Sequence, residues 1–447
     1  MTLGEFVVIA TPPAEARTGA ARALLDTVGV TLAGASQPAA RIVQRVIEFD
    51  GSGPCRVLGT TLRASPGNAA LANGTAAHAL DYDDMCFVSL AHPSAPLVSA
   101  ALAAAEVAGA SGPALLDAYV VGFELEARLG RAMNPRHYQR GWHCTSTLGT
   151  IGAAAAASRL LGLDAKAAGH ALAIAASEAS GLKENFGTMV KPLHAGLAAR
   201  NGVLAAQLAK AGMTASAAAI DGPQGFLAAM DSEQPGLDGV VADLGTRWEI
   251  LETGITVKLY PSCAGTHPSL DALLDLRRRE GFCGADVEAV EIGVDPIVPT
   301  ILIYDRPSSG LEGKFSMPFC AAAAVVQGRV GLETFHASQI ADPAIVAMQA
   351  RVTMRIDPTL DTSAPPLTQA RVTVRLCDGR VLSACANGAR GYHDRPASDD
   401  ELAAKFMSCA TQAMSDTQGN EALAALRNIE SVADVRTVTT RLQSRQA

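Results

Sequence analysis

Between about residues 12 and 265 the chain is built of runs of Ala, Leu, Val and Gly broken by single polar residues, with helical rather than strand periodicity. Alanine-rich segments poor in β-branched residues favour helix. Proline or an acidic residue near a start, and glycine near an end, then set the boundaries. The pattern predicts helices over 13–33, 66–81, 96–109, 113–132, 146–161, 164–180, 192–212 and 215–222. No alternating run interrupts them, so the first part, 1–268, reads as all-helical. The stretch 51–61 contains Gly51-Ser52-Gly53 but continues with Pro54 and lacks a third glycine, so it is no dinucleotide fingerprint.

The texture changes after about residue 284. Alternation predicts strands over 285–294, 350–356, 371–376 and 380–383. The last two flank Cys377-Asp378-Gly379, and Asp-Gly between alternating runs predicts a hairpin. Helical stretches at 316–327 and 332–340 lie among the strands. The segment 269–393 is therefore expected to be a smaller α+β domain. Ser398 with Glu401 three residues on reads as a capping box. The segment 394–447 then returns to helix and packs on the first part. The fold class is mainly α, with a large all-helical domain and a smaller α+β one.

At 447 residues the chain is long enough for two domains around a sizeable core. Aromatic residues make up only 4%, so that core is built of small aliphatic side chains. The net charge of −8 opposes general affinity for nucleic acid or an anionic membrane, and neither partner is expected. Nine cysteines are scattered without a Cys-x-x-Cys pair, so no zinc or iron–sulfur cysteine motif is visible. Their odd number fits a reducing compartment better than a disulfide framework. Long apolar runs are broken before membrane-spanning length, as at Glu106 and Arg159, and the first residues lack signal-peptide texture. A soluble, cytoplasmic protein is the expectation.

The candidate chemistry begins between His78 and His92, where Asp81, Asp83 and Asp84 interrupt an apolar region. If the helix continues through this stretch, His78, Asp81 and Tyr82 share a face. Four basic groups also stand at expected helix starts: His92 in His-Pro-Ser, His143 in His-Cys-Thr-Ser, Lys191 in Lys-Pro-Leu-His and His267 in His-Pro-Ser. A helix N-terminus carries unpaired N–H groups and partial positive charge, so a cation there costs on the order of 0.3–1 kcal/mol. One such misfit is incidental. Four together point to an anion bound where those ends converge. Carboxylates suit a mixture of N–H, Lys and His donors.

A helix start also lowers a histidine pKa and keeps the imidazole neutral near pH 7. A neutral imidazole can take a proton from carbon beside a carboxylate, or pass one to a leaving hydroxyl. Asp81 can share that work if a basic group pairs with it or if it is partly protonated. Lys258, a few residues before His267, adds a cation, and His194 closes the Lys-Pro-Leu-His segment. His92, His143, Lys191 and His267, with Asp81 or Asp83 as the carboxylate, are the expected catalytic group. Lys191, Lys258 and His194 are the expected substrate-binding group, for a small polycarboxylate. Two rivals come from other classes. An Asp-rich helix end invites a metal-dependent prenyl-type synthase, but Asp81-x-Asp83-Asp84 lacks the spacing that chelates Mg²⁺–diphosphate. A non-catalytic carboxylate-binding protein would bind such acids without exchanging their α-protons.

The segments Asn73-Gly-Thr-Ala-Ala-His78-Ala-Leu-Asp81-Tyr-Asp83-Asp84, His92-Pro-Ser, Gly141-Trp-His143, Gly187-Thr-Met-Val-Lys191-Pro-Leu-His194 and Tyr260-Pro-Ser-Cys263 resemble the MmgE/PrpD family. So do Lys314-Phe-Ser-Met-Pro318 and Pro396-Ala-Ser-Asp-Asp-Glu-Leu402, and the resemblance runs nearly end to end. It implies a helical main domain, an α+β lid, a site between them, a homodimer, and no metal or organic cofactor. The family includes 2-methylcitrate dehydratase, cis-aconitate decarboxylase and iminodisuccinate epimerase. By position, its active-site group falls on Asp81, His92, His143, Lys191 and His267. Met85 stands where the decarboxylases carry threonine, and Phe319 where many relatives have tyrosine. The Gly-Thr-Met-Val-Lys-Pro and Gly-Trp-His segments look closer to the epimerase. The resemblance leads us to expect acid/base chemistry beside a carboxylate, with dehydration first, epimerisation next and decarboxylation third. Met85 and Phe319 are expected to shape the pocket.

Overall fold

The computed structural model describes residues 1–230, 232, 233 and 236–444. Residues 231, 234 and 235 of the expected first part, and 445–447 of the expected C-terminal segment, lie outside the described residues. The helices Ala14–Gly34, Pro66–His78, Ser94–Ala108, Gly112–Met133, Cys144–Leu160, Ala165–Glu178 and Val190–Lys210 form the first part. Helix Ser94–Ala108 is buried without a break from Ser94 to Glu106, so it has no solvent face and lies in the interior. Helices Pro66–His78, Ser94–Ala108, Cys144–Leu160 and Val190–Lys210 pack on one another. Small side chains allow a close approach. A Cβ on Gly74 would stand 2.9 Å from the Ala195 carbonyl oxygen, and one on Gly196 would stand 2.2 Å from Thr75 Oγ1. That crossing brings the start of helix Val190–Lys210 beside the end of helix Pro66–His78.

The second part is a four-stranded mixed sheet in the order Val352–Ile356, Val287–Val294, Gln369–Leu376, Val381–Asn387. Only the first pair is parallel. The expected hairpin is present, with Gly379 at φ 89° in its turn. Helix His267–Glu280 packs on the last two strands of that order and on helix Met317–Gln327. The expected boundary at 268/269 therefore falls inside the first turn of a helix that belongs with the sheet. Ser398 and Glu401 form the expected capping box. Helix Asp399–Ala410 packs on Ala14–Gly34, where the Lys405 ammonium stands 2.6 Å from the buried Asp26 carboxylate.

Four expectations differ from the structure. Segment 215–222 forms turns, because the Ala219 N–H goes to the Ser216 carbonyl three residues back and, among the described residues, only Gly222 N–H to the Ala218 carbonyl forms as a helical bond. Eight residues cannot offset the cost of helix nucleation alone. The stretch 332–340 is two short turns, Leu332–Phe335 and Ala337–Ile340. The first part also contains a two-residue antiparallel pair, Cys55–Arg56 with Arg63–Ala64. The helix expected to run to residue 81 ends at His78, and Asp81 has φ 50° in the left-handed region, which Asp tolerates better than most residues. No helix among the described residues is long and apolar enough to cross a membrane, and all nine cysteines are free thiols.

Candidate active site

All four basic groups expected at helix starts are found there. His143 is the residue before helix Cys144–Leu160, and Lys191 is the second residue of Val190–Lys210. His267 opens His267–Glu280, and His92 stands two residues before Ser94–Ala108. None is more than 9% exposed, so the group is closed off from bulk water.

Asp81 is the centre of the arrangement. Lys191 Nζ donates to its Oδ1 at 2.7 Å, and Lys258 Nζ stands 3.2 Å from its Oδ2. The Lys258 ammonium also donates to the Asp81 main-chain carbonyl at 2.9 Å. His92 Nε2 lies 3.7 Å from Oδ1. The requirement that a basic group pair with Asp81 is thus met twice. Burial works against the Asp81 carboxylate, but the Lys191 and then the Lys258 charge outweigh it and hold Asp81 well below the usual carboxylate range. The chain reversal at Asp81, not a shared helical face, turns its carboxylate toward these lysines.

The histidines are held neutral. Burial, reinforced by Lys258, pushes His92 and His267 each down to about 3. Burial and Lys191 hold His143 well below the usual imidazole range. Burial also pushes His194 down to about 4. His143 Nδ1 lies 3.0 Å from His194 Nδ1, so one ring donates to the other. His194 is thereby a partner of His143. Among the described residues, His143 Nε2, His92 Nδ1 and His267 Nδ1 are buried without a hydrogen-bond partner. His267 is anchored through Nε2 at 3.1 Å from the Ser262 carbonyl oxygen and meets the Tyr260 ring edge-on. It feels the Lys258 and Asp81 charges but makes no hydrogen bond to the other four expected catalytic residues.

Two further residues join the group. The His78 ring lies 4.6 Å from that of His92 and 5.6 Å from that of His143. Its Nδ1 is 2.7 Å from Asp83 Oδ2, and its Nε2 is 2.7 Å from Lys191 Nζ. Asp83 is fully buried and also stands 3.4 Å from His92 Nδ1. Asp84 lies apart, accepting hydrogen bonds from the Ser94 N–H and hydroxyl. The signal for His78 and Asp83 was their five-residue spacing at a helix end, which only the turn after His78 makes into a contact.

His78, Asp81, Asp83 and His92 each offer a ligand atom, all within 4.8 Å of one another, a donor set that could surround a metal ion. Lys191 Nζ already stands 2.7 Å from two of those residues. Two ammonium groups face two carboxylates here, so a divalent ion would compete with them for the same lone pairs. The donor set therefore fits a metal poorly.

A cavity of about 320 Å³ is lined by Leu80, Met189, Pro192, Lys314 and Phe335 among others, which include chain neighbours of Asp81 and Lys191 but none of the expected site residues themselves. Lys314 donates to the Pro261 carbonyl at 2.7 Å, and burial pushes it down to about 7. A larger cavity of about 630 Å³ lies between Phe87, Arg131 and Tyr392 and is likewise lined by none of the expected site residues. Met85 is paired through its backbone with Thr256, and Phe319 is fully buried 5.9 Å from the Phe335 ring. Neither residue lines the 320 Å³ cavity. Gly187, at φ 85°, is covered by the Tyr304 side chain, whose hydroxyl donates to the Phe186 carbonyl at 2.9 Å.

Comparison with known families decides the lineage. The MmgE/PrpD N-terminal domain matches residues 5–237, and the MmgE/PrpD C-terminal domain matches residues 260–431. The chain belongs to the MmgE/PrpD family. Among MmgE/PrpD relatives, it is 28% identical to cis-aconitate decarboxylase of Homo sapiens over 437 residues, covering 94% of this chain and 89% of that protein. It is 29% identical over 447 residues to the cis-aconitate decarboxylase-like protein oryM of Aspergillus oryzae, covering 95% and 92%. Identity to the cis-aconitate decarboxylase of Aspergillus terreus is 26% over 436 residues, covering 92% and 88%. The matched MmgE/PrpD segments contain Asp81, His92, His143 and Lys191 in the N-terminal domain, and His267 in the C-terminal one.

Proposed function

We propose that this protein is a lyase that decarboxylates a small unsaturated tricarboxylate of the cis-aconitate type by acid/base chemistry. The observation that carries the proposal is Asp81 held between Lys191 and Lys258 at 2.7 and 3.2 Å, beneath imidazoles whose free nitrogens are buried. Similarity to cis-aconitate decarboxylases favours decarboxylation over the dehydration that sequence reading put first.

The electrostatics suit a polyanion. At rest the Lys191 and Lys258 ammonium groups balance the Asp81 and Asp83 carboxylates, so the further positive charge a polyanion needs comes from protons taken up by the histidines. A bound trianion would replace the water that the histidines have lost and raise their proton affinity. His143 and His92 would then act as acids in the complex although both are neutral in the free enzyme. In the step itself, one carbon–carboxylate bond breaks and CO2 leaves. The electron pair spreads into the unsaturated system and a remaining carboxylate, steadied by lysine. A proton from imidazolium then ends on carbon. The balance is tricarboxylate trianion plus H⁺ giving dicarboxylate dianion plus CO2.

Dehydration of a 2-methylcitrate-like hydroxy acid uses the same groups, with a proton leaving carbon and the hydroxyl leaving as water. Met85 and Phe319, which depart from the decarboxylases, favour that second reading. The proposal includes the homodimer that the family resemblance implies, for which sedimentation velocity is the check. It also places the protein in the cytoplasm, in keeping with its free thiols. The test is proton NMR of the enzyme with cis-aconitate, 2-methylcitrate and iminodisuccinate in turn, with CO2 release followed in parallel. CO2 from cis-aconitate is the expected result. Water elimination alone selects the dehydratase, and α-proton exchange alone selects the epimerase.

A further inference from the structure

The resting hydrogen bonds of Lys191 are set by a residue outside the expected catalytic group. His78 is the last residue of its helix, is 1% exposed, and bridges Asp83 and Lys191 through opposite ring nitrogens, each at 2.7 Å. We propose that Asp83 and His78 form a positioning pair for Lys191, in which Asp83 fixes the proton on His78 Nδ1 and leaves Nε2 as a lone-pair acceptor for the Lys191 ammonium.

The argument is one of hydrogen-bond inventory. A neutral imidazole has one N–H and one acceptor nitrogen, and a lysine ammonium has donors only. With the proton on Nε2, two donors would meet at 2.7 Å while Asp83 faced a bare Nδ1 lone pair. With the proton on Nδ1, both contacts are satisfied. An imidazolium donating to a neutral lysine amine holds the same number of protons, but it puts the charge on the less basic nitrogen in a site that disfavours it. Burial, the largest influence on His78, favours the neutral ring.

The consequence lies in what Lys191 has left. One N–H goes to His78 and one to Asp81 Oδ1. The third makes no hydrogen bond among the described residues, and Nζ stands 5.4 Å from each of the Phe186 and Phe315 rings. Lys191 is therefore aimed to give a single hydrogen bond, suited to one oxygen of a substrate carboxylate. This assignment of the remaining donor rests on the polycarboxylate reading above. The Asp83–His78–Lys191 chain does not.

Two substitutions separate positioning from packing. Glutamine carries its amide oxygen about where Nε2 lies, so His78→Gln keeps an acceptor for Lys191. Asparagine keeps a donor near Nδ1 for Asp83 but leaves Lys191 without its acceptor. With cis-aconitate, His78→Asn is expected to raise KM about 10- to 100-fold, the range for a lost hydrogen bond to a charged group. His78→Gln should stay within about threefold of wild type, judged against the same range. Equal KM values for two folded variants would overturn the proposal.

A second measurement needs no turnover. Selective ¹⁵N-histidine labelling gives nine imidazoles, and the His78 signals are those missing from the variants. The proposal requires a protonated Nδ1 and a bare Nε2 between pH 6 and 8. A proton on Nε2, alone or with one on Nδ1, contradicts it. If no tricarboxylate is turned over but this tautomer is found, the polycarboxylate reading fails and the positioning pair stands.

Discussion

Lys258 holds Asp81 at two points, donating to its main-chain carbonyl at 2.9 Å and standing 3.2 Å from its carboxylate. The fully buried lysine thus fixes both the left-handed backbone at Asp81 and the charge on its side chain. Lys258→Met should fill the space but leave the Asp81 carbonyl unpaired. An unmet buried acceptor costs about 1–3 kcal/mol, so the unfolding midpoint in denaturant should fall accordingly. Turnover should fall further, by about 100-fold or more, because Asp81 loses its alignment. A variant with unchanged stability and unchanged turnover would show that Lys258 does neither.

Asp84 offers a test through pH. It is buried, and burial pushes its carboxyl up to about 8 despite donation from Ser94. A raised folded-state pKa means that the native protein binds the proton more tightly than the unfolded chain. The stability this gives is fully present below the unfolded value near 4 and is lost as pH rises toward 8. Between those limits one such proton accounts for a slope of about 1.4 kcal/mol per pH unit. Asp84→Asn should remove that slope. Urea unfolding at pH 5, 6 and 7 on both proteins checks this, and parallel pH dependences would contradict it.

Polyanion binding should draw protons from solution. His92 sits at about 3 in the free protein because of burial and Lys258, and negative charge brought next to it must raise that value. Affinity for the acid should therefore increase as pH falls from 8 toward 6. Calorimetry at pH 7 in two buffers of different ionisation enthalpy should show net proton uptake. Uptake near zero would mean that the histidines do not respond to the ligand.

The four possible metal-ligand residues and the two lysines cannot all be satisfied by one arrangement. Since Lys191 and Lys258 already hold Asp81, turnover should survive prolonged dialysis against EDTA with less than about a twofold loss, and added Mg²⁺ or Zn²⁺ should not raise it. Loss of activity on chelation and its return with a single metal would reverse the assignment of Asp81.

Much of the fold was legible because its signals are local. Capping, glycine ends and 3.6-residue periodicity place the long helices within a few residues, and Asp378-Gly379 places the hairpin. What misled was also local. Segment 215–222 has helical composition, but its Ala219 N–H closes a three-residue turn on the Ser216 carbonyl instead of a helical one. The lysine and three histidines at helix starts could be picked out as electrostatic misfits, each visible within its own segment. His78 and Asp83 could not be ranked, because their value depends on where the chain turns after residue 78 and on Lys191, which is 113 residues away. The contact of His194 with His143 was equally hidden, since it comes from the packing of two helix ends.

The central claim is that Lys191 and its partners move a proton at a carbon beside a carboxylate. It is tested most directly by running wild type and Lys191→Ala side by side on cis-aconitate in D2O. The CO2 released and the deuterium at carbon in the product are then counted. The account predicts one deuterium per CO2 for the wild type. For the folded variant it predicts a rate at least about 100-fold lower, the usual weight of one preorganised donor to developing charge. A Lys191→Ala enzyme that releases CO2 at the wild-type rate would contradict it.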